Sequence, residues 1–530
     1  MSERRLAGPE AAHERRRYLT TPIYYASGEP HLGHAYTTIL GDVLARFYRQ
    51  DGAPVFFLTG TDEHGQKIQE EAARRGVEPI ELCDRMAERF EAAWRTMEIS
   101  HDRFIRTTDA EHKAVVQAFL QRLWDRGQIY EDTYVGWYCV HEERYWTDKD
   151  LGPDNACPDC GRPTRHVEEK NYFFRMSAYQ DALVQHIEAN PGWITPDIRR
   201  NEVLGFLQKP LGDLSISRPK TRLKWGITLP FDDEHVAYVW VDALINYLTA
   251  SGAIRPGAPA GAQGFDDVSG SWWPADLHLM GKDIITTHAV YWPTLLMGVG
   301  LPVQRQILAH GWWVVGDTKM SKSLGNVVDP LALREQFGTD AVRWYLMREM
   351  PTGGDASYTP ERFLVRYEEL ANVLGNLASR ALSMILRYRE GVIPEAPGSG
   401  LDDAITTTFA TARESMERFR VHEALAAAME LARSANVYVE DRQPWSQSKD
   451  PAQSAELDET LATLARALAA LCALFQPVAP HRMADLAERL GLTAVPTLEE
   501  ARTLKLAGRV VLKGDPLFPR VDPGWGPSKA

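Results

Sequence analysis

The sequence predicts an α/β protein whose parallel sheet is interrupted by an inserted domain and followed by an all-α C-terminal helical bundle. Three shifts of rhythm along the chain carry that expectation. From Tyr18 to about Gly127, β-branched and aromatic runs alternate with apolar residues at helical spacing, the βαβ pattern of a parallel sheet covered by helices. From Gln128 to about Asp233 the runs become short and aromatic, Gly/Pro turns separate them, and cysteines appear. From Pro330 almost to Gly491 the spacing is helical.

Taken in order, residues 18–25 read as a strand that gives way through Gly28 and Pro30 to a helix running to Arg49 from near Gly33 and His34. Residues 54–59 form the next strand, and helices are expected over 67–75, 79–96 and 111–126. After the insert, 236–248, 277–280 and 306–310 are expected to resume the alternation and close the same sheet. Residues 361–391, 401–432 and 457–476 supply the helices of the bundle, and 508–512 a short final strand.

Charge and composition narrow the function classes. A net charge of −13 argues against a uniformly basic nucleic-acid binder but not against a local basic face. No run reaches the ~20 apolar residues of a membrane span; the richest, 461–474, is alanine-rich and carries Arg466. The first 17 residues mix Arg4, Arg5 and Arg15 to Arg17 with Glu3, Glu10 and Glu14 and hold no apolar core, so they read as a disordered tail rather than a targeting segment. Five cysteines, an odd number, point to a reducing, cytoplasmic setting without a disulfide scaffold.

Two signatures carry the chemistry. His31-Leu32-Gly33-His34 lies where strand turns into helix, and a helix N-terminus offers unpaired N–H groups and partial positive charge to a polyphosphate. The two imidazoles can donate to phosphate oxygens as charge builds, and Gly33 keeps the approach open. Far along the chain, Lys319-Met320-Ser321-Lys322-Ser323 runs into Leu324-Gly325-Asn326 and reads as a loop, whose amines can follow a departing pyrophosphate. In this order the two describe a device for adenylating a carboxylate. Cys157-Pro158-Asp159-Cys160 has zinc-knuckle spacing, with Cys139 upstream and His141 or Glu142 as the fourth ligand.

With these signatures the chain resembles the class I aminoacyl-tRNA synthetases, and within them the methionine-specific family, from about Tyr18 to Asp522. The stretches that carry the closer likeness are residues 22–25, 61–65, 238–247, 281–284, His288 with 291–293, and 376–380. The resemblance implies a Rossmann-like catalytic sheet and a zinc-knuckle cap domain. The expected division is a tail over 1–17, catalytic halves over 18–127 and 236–329 around a cap over 128–235, a stem-contact region over 330–365 and an anticodon-binding helical domain over 366–530. It implies a methionine–tRNA ligase that uses ATP with Mg²⁺ and acts on initiator and elongator methionine tRNA.

Residue by residue, the likeness places Ile23, Tyr25, Val239, Trp240, Ala243, Tyr247 and His288 around methionine, with Asp62 on its ammonium. Thr287 stands where an aromatic residue is usual. His31, His34, Lys319 and Lys322 are the catalytic group, and Gly33, Gly281, Asp283, Met320, Ser321 and Ser323 line ATP. Asn376, Arg380 and Trp445 would read the anticodon by stacking and base-edge hydrogen bonds. Cys139, Cys157, Cys160 and His141 would hold structural Zn²⁺. The insert, about a hundred residues, looks too short for a hydrolytic editing domain, and the short segment after Leu504 favours a monomer.

Overall fold

The computed structural model describes residues 16–146, 148–257, 264–315, 318–319 and 328–520. Apart from its last two residues, the expected N-terminal tail lies outside the described residues. The first half runs β1 (Arg17–Tyr25), α1 (Leu32–Gln50), β2 (Val55–Asp62), α2 (Gln66–Arg75), α3 (Pro79–Thr96), β3 (Arg103–Arg106) and α4 (Ala110–Asp125). Then come β4 (Ile129–Cys139), β5 (Arg144–Trp146), β6 (Arg165–Phe174), β7 (Ile194–Thr195), four short strands between Leu214 and Ala237, α5 (Val239–Ser251), β8 (Leu277–Gly281) and β9 (Ile307–His310). The chain divides into two compact units. One comprises Met1–Pro30, Val55–Arg95 and His101–His310; the other comprises His31–Pro54, Thr96–Ser100 and Gly311–Ala530.

The first unit holds a six-stranded parallel sheet in the order β3-β2-β1-β8-β9-β7. β1 lies in the interior of that sheet although it contains Pro22, which has no N–H to donate. The register shifts between Thr20 and Ile23, so the proline falls in the irregularity, and pairing resumes with Tyr25 opposite Asp62. On β2, Gly60 lets β3 approach: a Cβ there would lie 2.0 Å from the Ile105 carbonyl oxygen. Asp62, Gly281 and His310 end their strands at the carboxyl edge, where ligands of open parallel sheets bind.

Two expectations fail in this unit. Residues 236–248 add no strand to the parallel sheet: Asp232–Ala237 belongs to a separate antiparallel sheet, and Val239–Ser251 is a helix. Every residue of α5 except Trp240 is buried, and a helix buried all round has no polar face to distinguish its pattern from that of a buried strand. The sheet takes its outer strand instead from β7, within the region read as the insert.

In the second unit, α1 is followed by the strands β10 (Trp313–Val315) and β11 (Thr318–Lys319) and then by helices. Lys319, expected in a loop, pairs with Val314, a two-residue ladder too short to announce itself by alternation. The pattern over 401–432 is two helices, Asp402–Glu417 and Val421–Arg442, parted where Phe419 takes φ +58°. Residues 508–512 form no strand, only a bridge from Val510 to Val392. Among the described residues no helix is long and apolar enough to cross a membrane.

Candidate active site

At the carboxyl edge of the sheet, an aromatic pocket and a buried carboxyl group lie side by side. Tyr25 ends β1 and Trp240 opens α5; their rings meet edge to face at 6.3 Å, and Trp240 meets His288 in the same way at 6.5 Å. Val239, Ala243 and Tyr247 follow on the buried turns of α5, and Ile23 packs against the same core. His288 and Thr287 are buried in the π-helical turn Thr287–Tyr291. The His288 Nδ1–H donates to the Ile284 carbonyl at 3.0 Å and its Nε2 accepts from the Tyr247 hydroxyl at 2.9 Å. Burial lowers this imidazole to about 4, so it is neutral at physiological pH. His288 and Tyr247 therefore satisfy one another.

Asp62 is 3% exposed, and its Oδ1 has no hydrogen-bond partner. Burial first, then the neighbouring Asp242, Glu143 and Glu63, push its carboxyl well above the usual range. Those three neighbours are all partnered. Glu63 accepts from Arg106 through both oxygens, at 2.7 and 3.0 Å, and from Thr61 and Thr108. Asp242 is clasped by His64 Nδ1 at 2.6 Å and His112 Nε2 at 2.7 Å; burial works to raise it, but the two imidazoles hold it at about 2. Glu143 accepts from the Tyr138 hydroxyl at 2.6 Å and the Lys67 N–H at 2.8 Å. Of the four carboxyl groups, Asp62 is the one disposed to receive a cation.

The supporting residues Asp242, His112 and Glu143 were not singled out in the sequence. Asp242 left a signal, an acidic residue inside an apolar helix-length run. Arg218, fully buried with its guanidinium 4.3 Å from the rings of Tyr145 and Tyr238, left none.

In the second unit, His31 is the N-cap of α1, its Nδ1 accepting the Gly33 N–H at 3.1 Å. In the neutral ring this fixes the proton on Nε2. His34 stacks on His31 with centroids 3.6 Å apart, and the first turn of the helix carries no acidic residue. Both flanks of the lysine segment are tied to α1: Trp313 packs edge to face on Tyr36 at 6.0 Å, and the Leu32 N–H donates to the Val328 carbonyl at 3.2 Å. Met320, Ser321, Lys322 and Ser323 lie outside the described residues, and for Lys319 only the backbone pairing is described. In the first unit, Gly281 ends β8, and a Cβ there would lie 2.6 Å from Oδ1 of the exposed Asp283.

The cysteines converge. Cys139 and Cys160 Sγ lie 3.6 Å apart, and Cys157 completes a cluster within 4.8 Å. Two thiolates on one tetrahedral zinc, with Zn–S bonds of ~2.3 Å, would stand ~3.8 Å apart, so the three residues fit the metal. His141, Glu142 and Cys160 also group within 4.8 Å, with His141 Nδ1 2.7 Å from Glu142 Oε1. Burial pushes the Cys139 thiol up to about 11.

In the bundle, Asn376 is exposed at the start of the helix Asn376–Tyr388. One turn on, Arg380 pairs with Glu440 at 2.6 Å, five residues before the half-buried Trp445.

Comparisons with known proteins give the family. The family described as "tRNA synthetases class I (M)" matches residues 17–168 and 161–382, and "Anticodon-binding domain of tRNA ligase" matches residues 403–508. The chain is 42% identical over 513 residues to the methionine–tRNA ligase of Caldanaerobacter subterraneus subsp. tengcongensis, covering 95% of this chain and 79% of that one. It is 41% identical over 527 residues to the Bacillus subtilis enzyme of the same name, at 95% and 78% coverage. Mycobacterium tuberculosis methionyl-tRNA synthetase in complex with methionyl-adenylate superposes with a TM-score of 0.89 at 40% identity, over 95% of this chain and 100% of that one. The Rossmann-like sheet, the helical C-terminal region and the similarity along nearly the whole chain lead to one conclusion: the chain belongs to the class I methionyl-tRNA synthetases.

Proposed function

We propose that this protein activates methionine with ATP and transfers it to the 3′ end of methionine tRNA. The observation that carries the reading is Asp62, a buried carboxyl with an unpartnered oxygen beside an aromatic pocket in which His288 and Tyr247 already pair with one another. Such a pocket offers an apolar, polarizable side chain ring faces, and offers an α-ammonium one acceptor. Asp62 takes the ammonium, while Ile23, Tyr25, Val239, Trp240, Ala243, Tyr247 and His288 enclose the thioether.

In the first step a methionine carboxylate oxygen attacks the α-phosphorus of Mg²⁺-ATP, a P–O bond breaks, and pyrophosphate leaves. His31 and His34, on a helix N-terminus free of acidic residues, stabilise charge on the phosphates, and Lys319 and Lys322 accompany the pyrophosphate. Gly33, Gly281, Asp283, Met320, Ser321 and Ser323 are assigned to the nucleotide. In the second step the terminal 2′-hydroxyl of tRNA attacks the activated carbonyl and AMP leaves. Positioning and electrostatics suffice for both, with no covalent enzyme intermediate.

Cys139, Cys157 and Cys160 would hold structural Zn²⁺ with His141 as fourth ligand, because Glu142 Oε1 lies 2.7 Å from His141 Nδ1, where a carboxylate can orient an imidazole that binds metal through its other nitrogen. Metal content per chain, in wild type and H141A, checks this. Asn376, Arg380 and Trp445 would read the anticodon shared by initiator and elongator tRNA, and the working form would be a cytoplasmic monomer, which light scattering tests for the oligomeric state. The decisive experiment is ATP–pyrophosphate exchange with each of the twenty amino acids. Exchange dependent on methionine is expected; silence with methionine, or a stronger response to another amino acid, overturns the proposal.

A further inference from the structure

Helix α2 begins directly after the loop that follows Asp62 and carries His64, and its own N-cap is Gly65, which has no side chain to satisfy the first N–H groups. The missing cap comes from another part of the chain. Glu143 stands in the turn between β4 and β5, in the cysteine hairpin that also contains Cys139 and His141. It is 2% exposed, with φ +54°, a backbone conformation that a glutamate adopts only when its surroundings hold it there.

Its Oε1 accepts the Lys67 N–H at 2.8 Å on the first turn of α2, and its Oε2 accepts the Tyr138 hydroxyl at 2.6 Å. Gly65 permits this approach. A Cβ there would lie 2.9 Å from Glu143 Oε1, and φ +102° at this position already favours glycine. The Lys67 amine lies 4.7 Å over the Tyr25 ring, so the capped turn also borders the aromatic pocket.

We propose that Glu143 is a positioning residue for the amino-acid substrate: a cap supplied by the cysteine hairpin that fixes the first turn of α2, and through it the loop after Asp62, for binding of the α-ammonium. The inference rests on the assignment of Asp62 to the ammonium. The role assigned to Glu143 is neither substrate contact nor metal ligation, because both its oxygens are committed to α2 and Tyr138. It also gives the cysteine hairpin a path to the chemistry, since a hairpin that shifts withdraws the cap.

The test compares L-methionine with 4-(methylthio)butanoate, which keeps the carbon skeleton, thioether and carboxylate but lacks the ammonium, as ligands of the full-length protein by calorimetry, alongside exchange kinetics. In E143A, methionine is expected to bind about tenfold more weakly, the effect of a lost cap. The analogue should bind within twofold of wild type, with KM for ATP unchanged. E143Q retains an oxygen for the Lys67 N–H and should restore most of the affinity. If E143A fails to fold, Y138F, which removes one of the two anchors, should show a smaller loss of the same kind.

Equal weakening of both ligands, or none, overturns the proposal. D62N separates the two readings: it should lose methionine selectively, and if it does while E143A does not, only the role of Glu143 fails. If D62N does not discriminate, the ammonium assignment and this inference fall together.

Discussion

Asp42 and Asp62 are both buried carboxyl groups, one in each unit, and they are built for opposite ends. Asp42, on α1, accepts from the Ser100 N–H at 2.7 Å and the Ser100 hydroxyl at 2.5 Å through Oδ1, and from Arg46 at 2.7 Å and Arg343 at 2.6 Å through Oδ2. Arg343 is itself 0% exposed and donates further to the carbonyls of Val478, Met97 and Pro477. Burial works to raise Asp42, but Arg343 and Arg46 hold it below the usual carboxylate range. Asp62 keeps an empty oxygen among three partnered acids and is pushed up. A fully answered buried charge is structure; a buried carboxyl with an unpartnered oxygen is a candidate to bind a ligand.

The largest expected effect breaks the answered pair. R343M strands Asp42 without its buried guanidinium and should cost about 3–5 kcal/mol, read as a lowered urea midpoint; D42N in the same background should recover part of it. If R343M alone is neutral, Asp42 is not held as described.

D62N is the mirror experiment. It should reduce kcat/KM for methionine about 10- to 100-fold, the scale of a lost charged hydrogen bond, while leaving stability at neutral pH equal or higher. The signs follow from linkage. A lowered carboxyl such as Asp42 contributes stability above its unfolded value that is lost as pH falls through the folded one. A raised carboxyl such as Asp62 costs stability as pH rises through its window, and the asparagine removes that cost.

His288 extends the comparison to an imidazole. Lowered from 6.5 to about 4, it binds its proton in the unfolded chain first, so folding stability should fall as pH drops from about 6.5 to about 4. Urea midpoints at pH 7 and pH 5 should differ more in wild type than in H288Q. The smallest effect belongs to an exposed pair, Arg413 with Asp51 at 2.6 and 2.9 Å. R413A should change stability by less than ~1 kcal/mol, because water and salt screen what burial preserves at Arg343.

Much of the site was legible in residue order because its parts are local. His31 and Gly33 lie within one turn, where a cap and a helix N-terminus are written by neighbours, and Cys157 and Cys160 share a knuckle. Asp62 announced itself only through likeness to a known family, since one aspartate after a strand has no signature of its own. The helix Val239–Ser251 is hidden from the sequence because periodicity is silent when nearly every residue is buried, and β7 is hidden because two residues, Ile194 and Thr195, carry no alternation.

Readable from the order of residues alone were the parallel-sheet class, the helix N-terminus at His31 and Gly33, and the cysteine cluster, all of which depend on spacing along a few turns. Folding was needed to set which acids are answered. His64 and His112 come from separate elements to Asp242, Arg106 comes to Glu63, and Glu143 reaches across 76 positions to cap a helix whose own N-cap is a glycine. Partnership of a buried charge is a property of distance in space, and no pattern of period two or 3.6 encodes it.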